Sequence, residues 1–104
     1  MKKLNLNVDL EGLTGLEGLK KQEVVRNVLS NIIIAYSTAN RGLSYEEQRI
    51  YNNIFNALAL SITNDLLVVD VEDTWYAFLV KAMKTGKMPP AKVVSRVFDL
   101  LESV

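Results

Sequence analysis

The chain predicts a mainly α fold of the α+β class. Four helices form a compact domain that carries a minor two-stranded β ribbon from residues near 4–10 and 66–69. Three observations predict it. Apolar residues recur at helical spacing over four stretches. One short alternating stretch opens the chain, and one short aliphatic run interrupts the helices. No linker, internal repeat or low-complexity tail divides the 104 residues, a length near the modal size of one domain, so residues 1–104 are read as a single helical domain.

The opening stretch alternates Leu4, Leu6, Val8 and Leu10 with Asn5, Asn7 and Asp9, the period of two that marks a half-buried strand. Then Leu10, Leu13, Leu16 and Leu19 recur every third residue, with Gly12, Gly15 and Gly18 between them. A period of three suits neither helix nor strand. An irregular connection is expected, its leucines tucked inward and its glycines supplying turn conformations.

From Lys20 the spacing becomes helical. Val25, Val28, Leu29, Ile32 and Tyr36 share a face, and Val24, Ile33, Ile34 and Ala35 widen it. That helix ends near Asn40-Arg41-Gly42, with Gly42 placed at a left-handed C′ position. Ser44 followed by Glu47 is a capping box that opens a second helix. Tyr51, Ile54, Phe55, Leu58 and Ile62 supply its inner face, and Asn64-Asp65 closes it. Leu66 to Val69 is too short and too β-branched for a helix, and it pairs with the opening strand as a ribbon laid on the helices. Asp70 is assigned as the N-cap of a third helix with Glu72 and Asp73 in its first turn. Val71, Trp75, Phe78, Leu79 and Ala82 form the inner face of that helix, which ends at Thr85-Gly86-Lys87. Pro89 and Pro90 fit the start of a fourth helix, where a missing N–H costs nothing. Val93, Val94, Val97, Phe98 and Leu101 carry the apolar side of that last helix.

Histidine and cysteine are both absent. That removes the side chain that titrates unaided near neutrality, the most nucleophilic one, and the commonest transition-metal ligands. A serine triad has no base. No catalytic residue, metal or cofactor is therefore expected, and the chain is read as non-enzymatic. Twelve basic and twelve acidic residues cancel, so no global field draws in nucleic acid or an anionic membrane. The longest apolar runs are far too short to span a bilayer. A cytoplasmic protein is expected.

Two groups of residues stand out as candidate sites. Lys81, Lys84, Lys87, Lys92 and Arg96 concentrate like charge, and a hairpin about Gly86 would converge them on a phosphate-bearing ligand. The competing reading is a helix C-terminus complemented by lysines beside solvated surface. The wide apolar face of the first helix, with Val24, Val28, Ile32, Ile33 and Ile34, offers a surface for a second copy of the chain. Equally, the helix is the buried centre of a monomer. Asp70, Glu72 and Asp73 are the strongest cluster for a hard cation, although capping and the helix dipole account for them. The glycines match no nucleotide-loop spacing, and Tyr76 points away from the face of Trp75 and Phe78 as an exposed contact.

Several pieces resemble a group of small proteins without assigned activity that are encoded in phages and prophages. They are the opening strand and glycine turn, the aliphatic Val24–Tyr36 helix, and Tyr45-Glu46-Glu47-Gln48-Arg49-Ile50-Tyr51. Val71-Glu72-Asp73 follows, then Pro90-Ala91-Lys92-Val93-Val94 before Leu100-Leu101. The leucine–glycine triplet and the Ile32–Ile34 run depart from the group's pattern. The resemblance implies a viral protein acting in the host cytoplasm. Taken with the composition, it leads to a phage accessory protein that forms a homo-oligomer, a dimer first, or binds a host or phage protein. Sequestration of a nucleotide signal and weak nucleic-acid binding are the alternatives.

Overall fold

The computed structural model describes residues 1–88 and 91–102. In chain order they form β1 (Lys2–Asn5), α1 (Lys21–Ala39), α2 (Tyr45–Thr63), β2 (Val68–Val71), α3 (Asp73–Thr85) and α4 (Lys92–Glu102). Four helices with one two-stranded antiparallel ribbon, β1 paired to β2, is the architecture the periodicities predict.

α1 is the centre of the core. Its Val24, Val25, Val28, Leu29, Ile32, Ile33 and Tyr36 are all buried, with α2, α3 and α4 packed around it. A helix apolar over most of its circumference must be covered on most sides, and here the chain's own elements cover it. α2 starts at the predicted capping box: Ser44 Oγ accepts from Glu47 N at 3.2 Å, and Glu47 Oε1 accepts from Ser44 N at 3.0 Å.

The helix ends differ from the sequence expectation in one respect. Arg41, not Gly42, holds the left-handed C′ position after α1, with φ 59. Gly42 follows as the residue whose N–H donates to Ser37 O at 2.7 Å, a Schellman closure displaced by one position. α2 closes the same way: Asp65 has φ 53 and Leu66 N donates to Ser61 O at 2.9 Å.

That second closure moves the ribbon. Leu66 is held in the cap, so β2 spans Val68–Val71 rather than 66–69. β1 is shorter than its alternation suggests, because Asn5 Oδ1 accepts from Asn7 N at 2.9 Å and turns the chain out of the strand. Burial continues past the strand nonetheless: Leu4, Leu6 and Val8 are all sealed from solvent. The register pairs Lys2 with Val71, Lys3 with Asp70, Leu4 with Val69 and Asn5 with Val68.

Four further residues depart from expectation. Asp70 is not a helix cap; it lies in β2 and its carboxylate pairs with Lys3 at 3.2 Å. Glu72 is the N-cap of α3, without a side-chain bond, and Val71 is buried from the ribbon rather than from α3. Tyr76 is no free contact, since its hydroxyl donates to Leu101 O at 2.5 Å and ties α3 to the end of α4. Pro89 and Pro90, placed at the start of the fourth helix, lie outside the described residues.

The leucine–glycine stretch resolves into tandem turns. Leu13 N donates to Leu10 O at 3.1 Å and Leu19 N to Leu16 O at 3.2 Å, and Gly12, Gly15 and Gly18 have φ of 78, 80 and 84. A left-handed residue at the third position of each turn is what a type II turn needs, which repeats glycine every three residues. Of the four leucines, Leu10 and Leu16 pack against the core, whereas Leu19 is exposed.

Candidate interaction surface

The most unusual surface lies where α2 passes into β2. Leu66, Leu67 and Val68 are 46%, 42% and 47% exposed, and Leu60, on the last turns of α2, is 61% exposed. Single exposed apolar residues are ordinary; three consecutive large aliphatics left in solvent are not. The cause is local. A ribbon covered on one face buries every second residue, here Val69 and Val71, so an unbroken Leu-Leu-Val run must turn some of its side chains outward.

Side-chain hydrogen bonds tie the segment to α1. Gln22 at the start of α1 is 1% exposed. Its Nε2 donates to Leu66 O at 2.9 Å and to Asp65 Oδ1 at 3.2 Å. Lys20 Nζ reaches Ile62 O at 3.4 Å. A buried amide saturating a carbonyl and a carboxylate at a left-handed residue fixes how the ridge leaves the helix. Sequence reasoning passed over Gln22; its only signal was a polar residue two positions before Val24, where the aliphatic face of α1 begins.

Of the five residues proposed as an oligomer face on α1, four are sequestered within the single chain: Val24, Val28, Ile32 and Ile33. Ile34 alone faces solvent, at 57% exposed. The helix's breadth is therefore accounted for by the chain's own core.

The five cations do not share one place. Lys81 lies 3.9 Å from Glu47 Oε2 and above the Tyr36 ring, at an open groove of about 620 Å³ between α1, α2 and α3. Arg96 Nη1 donates to Asp9 O at 2.8 Å and Glu11 O at 2.6 Å, clasping the loop after β1 to α4. Lys87 borders a different depression beside Ala35 and Thr38. Lys84 and Lys92 are exposed.

At the groove, Tyr36 Oη donates to Glu47 Oε2 at 2.5 Å. That bond, then the Ser44 N–H, holds the Glu47 carboxyl below its ordinary range. The Tyr36 phenol foremost, with Glu47 behind it, raises Lys81. The trio stitches three helices together. Two of the three acidic candidates are engaged: Asp70 with Lys3, and Asp73 at 3.6 Å from the Met1 amine. Among the described residues no three acidic side chains gather as a metal-binding group, and no helix is long and apolar enough to cross a membrane.

Compared with known proteins, the chain matches no family model, no curated protein and no solved structure.

Proposed function

We propose that this chain is a non-enzymatic accessory protein of a phage or prophage that acts in the host cytoplasm by binding protein, its own copies included, through the ridge at the α2–β2 junction. The observation that carries the reading is the exposure of Leu66, Leu67 and Val68 on a segment anchored by buried Gln22. Ordered aliphatic surface of this kind is what protein interfaces bury. The nucleotide-sequestering and nucleic-acid readings need the cations gathered on one ligand, and Lys81 and Arg96 already have partners within the chain.

The test is a photo-crosslinking amino acid placed at position 67, in bacterial cells expressing the protein, against the same group at exposed Asn27 on α1. Covalent protein adducts, to the chain itself or to another protein, are expected at 67 and not at 27. Equal labelling at the two positions would refute the reading. Retention on nucleic acid or nucleotide resins, lost on replacing Lys84 and Lys92 by glutamine, would favour the alternatives instead.

A further inference from the structure

The ladder between the strands determines which backbone groups stay free. Leu6 N donates to Leu67 O at 2.8 Å. In the register that pairs Leu4 with Val69 and Lys2 with Val71, the bonded pairs of an antiparallel ladder alternate with unbonded ones. Val69 and Val71 therefore turn their N–H and C=O toward β1. Val68 and Asp70 turn theirs to the opposite edge, where they meet no backbone partner among the described residues.

The two edges of the ribbon differ. β1 presents Lys2 and Lys3, and lysines on an edge discourage further pairing. β2 reads Val-Val-Asp-Val after Leu66-Leu67. It has no proline and no lysine, its one charge, Asp70, is paired with Lys3 at 3.2 Å, and its β-branched residues suit a strand.

From these observations we infer that β2 is the docking edge for a second copy of this chain, its β2 aligned antiparallel to form one continuous four-stranded sheet. The inference rests on the protein-binding reading above and specifies its occupant. The register follows from which groups are free. Leu66 has already spent its N–H on Ser61 O and its C=O on Gln22, so no pairing can rely on it. Val68 facing Asp70 of the second copy, and Asp70 facing its Val68, satisfies every free donor and acceptor at these two positions with four hydrogen bonds. Val69 then sits on the two-fold axis, and Leu67 lies across from Val71 of the second copy, which withdraws it from water. The arrangement is isologous and closes at two chains. A foreign strand would use the same edge; a second copy uses it in two-fold symmetry, each chain bringing only the two residues whose backbone groups are free.

The lack of cysteine makes the register directly testable. Val68→Cys and Asp70→Cys proteins are purified separately, mixed and oxidised. In the inferred pairing, position 68 of one copy lies about 5.5 Å from position 70 of the other between Cα atoms, within disulfide range. Identical positions stand diagonal to each other at about 7–8 Å. A covalent dimer is expected from the mixture and not from either variant alone. Light scattering of the unaltered protein at high micromolar concentration should give twice the chain mass. Val68→Pro, which removes an outward N–H and spares the bonds to β1, should give the single-chain mass with helical circular dichroism retained. A monomeric unaltered protein overturns the inference. So does a dimer that gives no mixed disulfide. Adducts at position 67 to other proteins, with the purified chain monomeric, would leave the protein-binding reading standing and remove only the second copy.

Discussion

Gln22 and Glu47 are polar residues whose work is to join elements. Gln22 is held in the core by two acceptors, one of them the Leu66 carbonyl. Replacing it by leucine keeps the approximate volume and deletes both bonds; their acceptors lie on the exposed residues Asp65 and Leu66 and can turn to water, so the loss is that of ordinary hydrogen bonds, about 1 kcal/mol. Urea unfolding of Gln22→Leu should register it as a lower midpoint with an unchanged slope. Glu47 answers to pH. Its carboxyl is held below the ordinary range, chiefly by the Tyr36 hydroxyl, so the folded state binds its proton less readily than the unfolded chain does. The stabilisation is complete above the unfolded carboxyl value, about 4.3, and disappears as pH falls through the lower folded one. The gap in stability between the unaltered protein and Tyr36→Phe should therefore be constant near neutrality and narrow below about pH 4. A gap that does not change with pH would mean that the hydroxyl acts by packing alone.

At the level of elements, Gly86 governs how α3 meets α1. Its φ is −72, so no left-handed turn demands glycine. Space does: a Cβ there would come within 2.9 Å of Ala82 O and 3.1 Å of Ile32 O, both rigid backbone. Gly86→Ala should force the end of α3 away from α1 and lower the melting temperature by several degrees, the shift expected for about 1 kcal/mol in a chain of this size. An unchanged melting temperature would mean that the helices slide apart freely. The helices were legible because their signals are local, in periodicity and in the Ser44–Glu47 box. The exposed ridge was half legible. Leu66–Val69 reads as a strand, but an unbroken aliphatic run has no parity, so sequence alone could not say which members face out. The shift of β2 by two residues came from a helix closure that depends on Asp65 adopting φ 53. The tightest contact at Gly86, with Ala82 O, is local, but the contact with Ile32 O comes from more than fifty positions away in sequence, which a local reading does not see. The five cations failed to converge for a similar reason: Arg96 is claimed by carbonyls near the other end of the chain.

Over the whole molecule, the core is organised around α1, and the ribbon joins the first strand to one laid down after two intervening helices. Lys3 and Asp70, which pair across it, stand 67 positions apart. That separation sets an order of events during synthesis. β1 leaves the ribosome first, and at roughly 5–20 residues per second its partner follows about 3–13 seconds later. Throughout that interval β1 lacks the strand it pairs with, and the long loop between the strands must close before their contacts repay it. The outer edge of β2 thus exists only once translation has passed α2, and α3 and α4, which bring Phe78, Leu79, Ala82, Met83, Val97 and Leu101 to the core, are made after it.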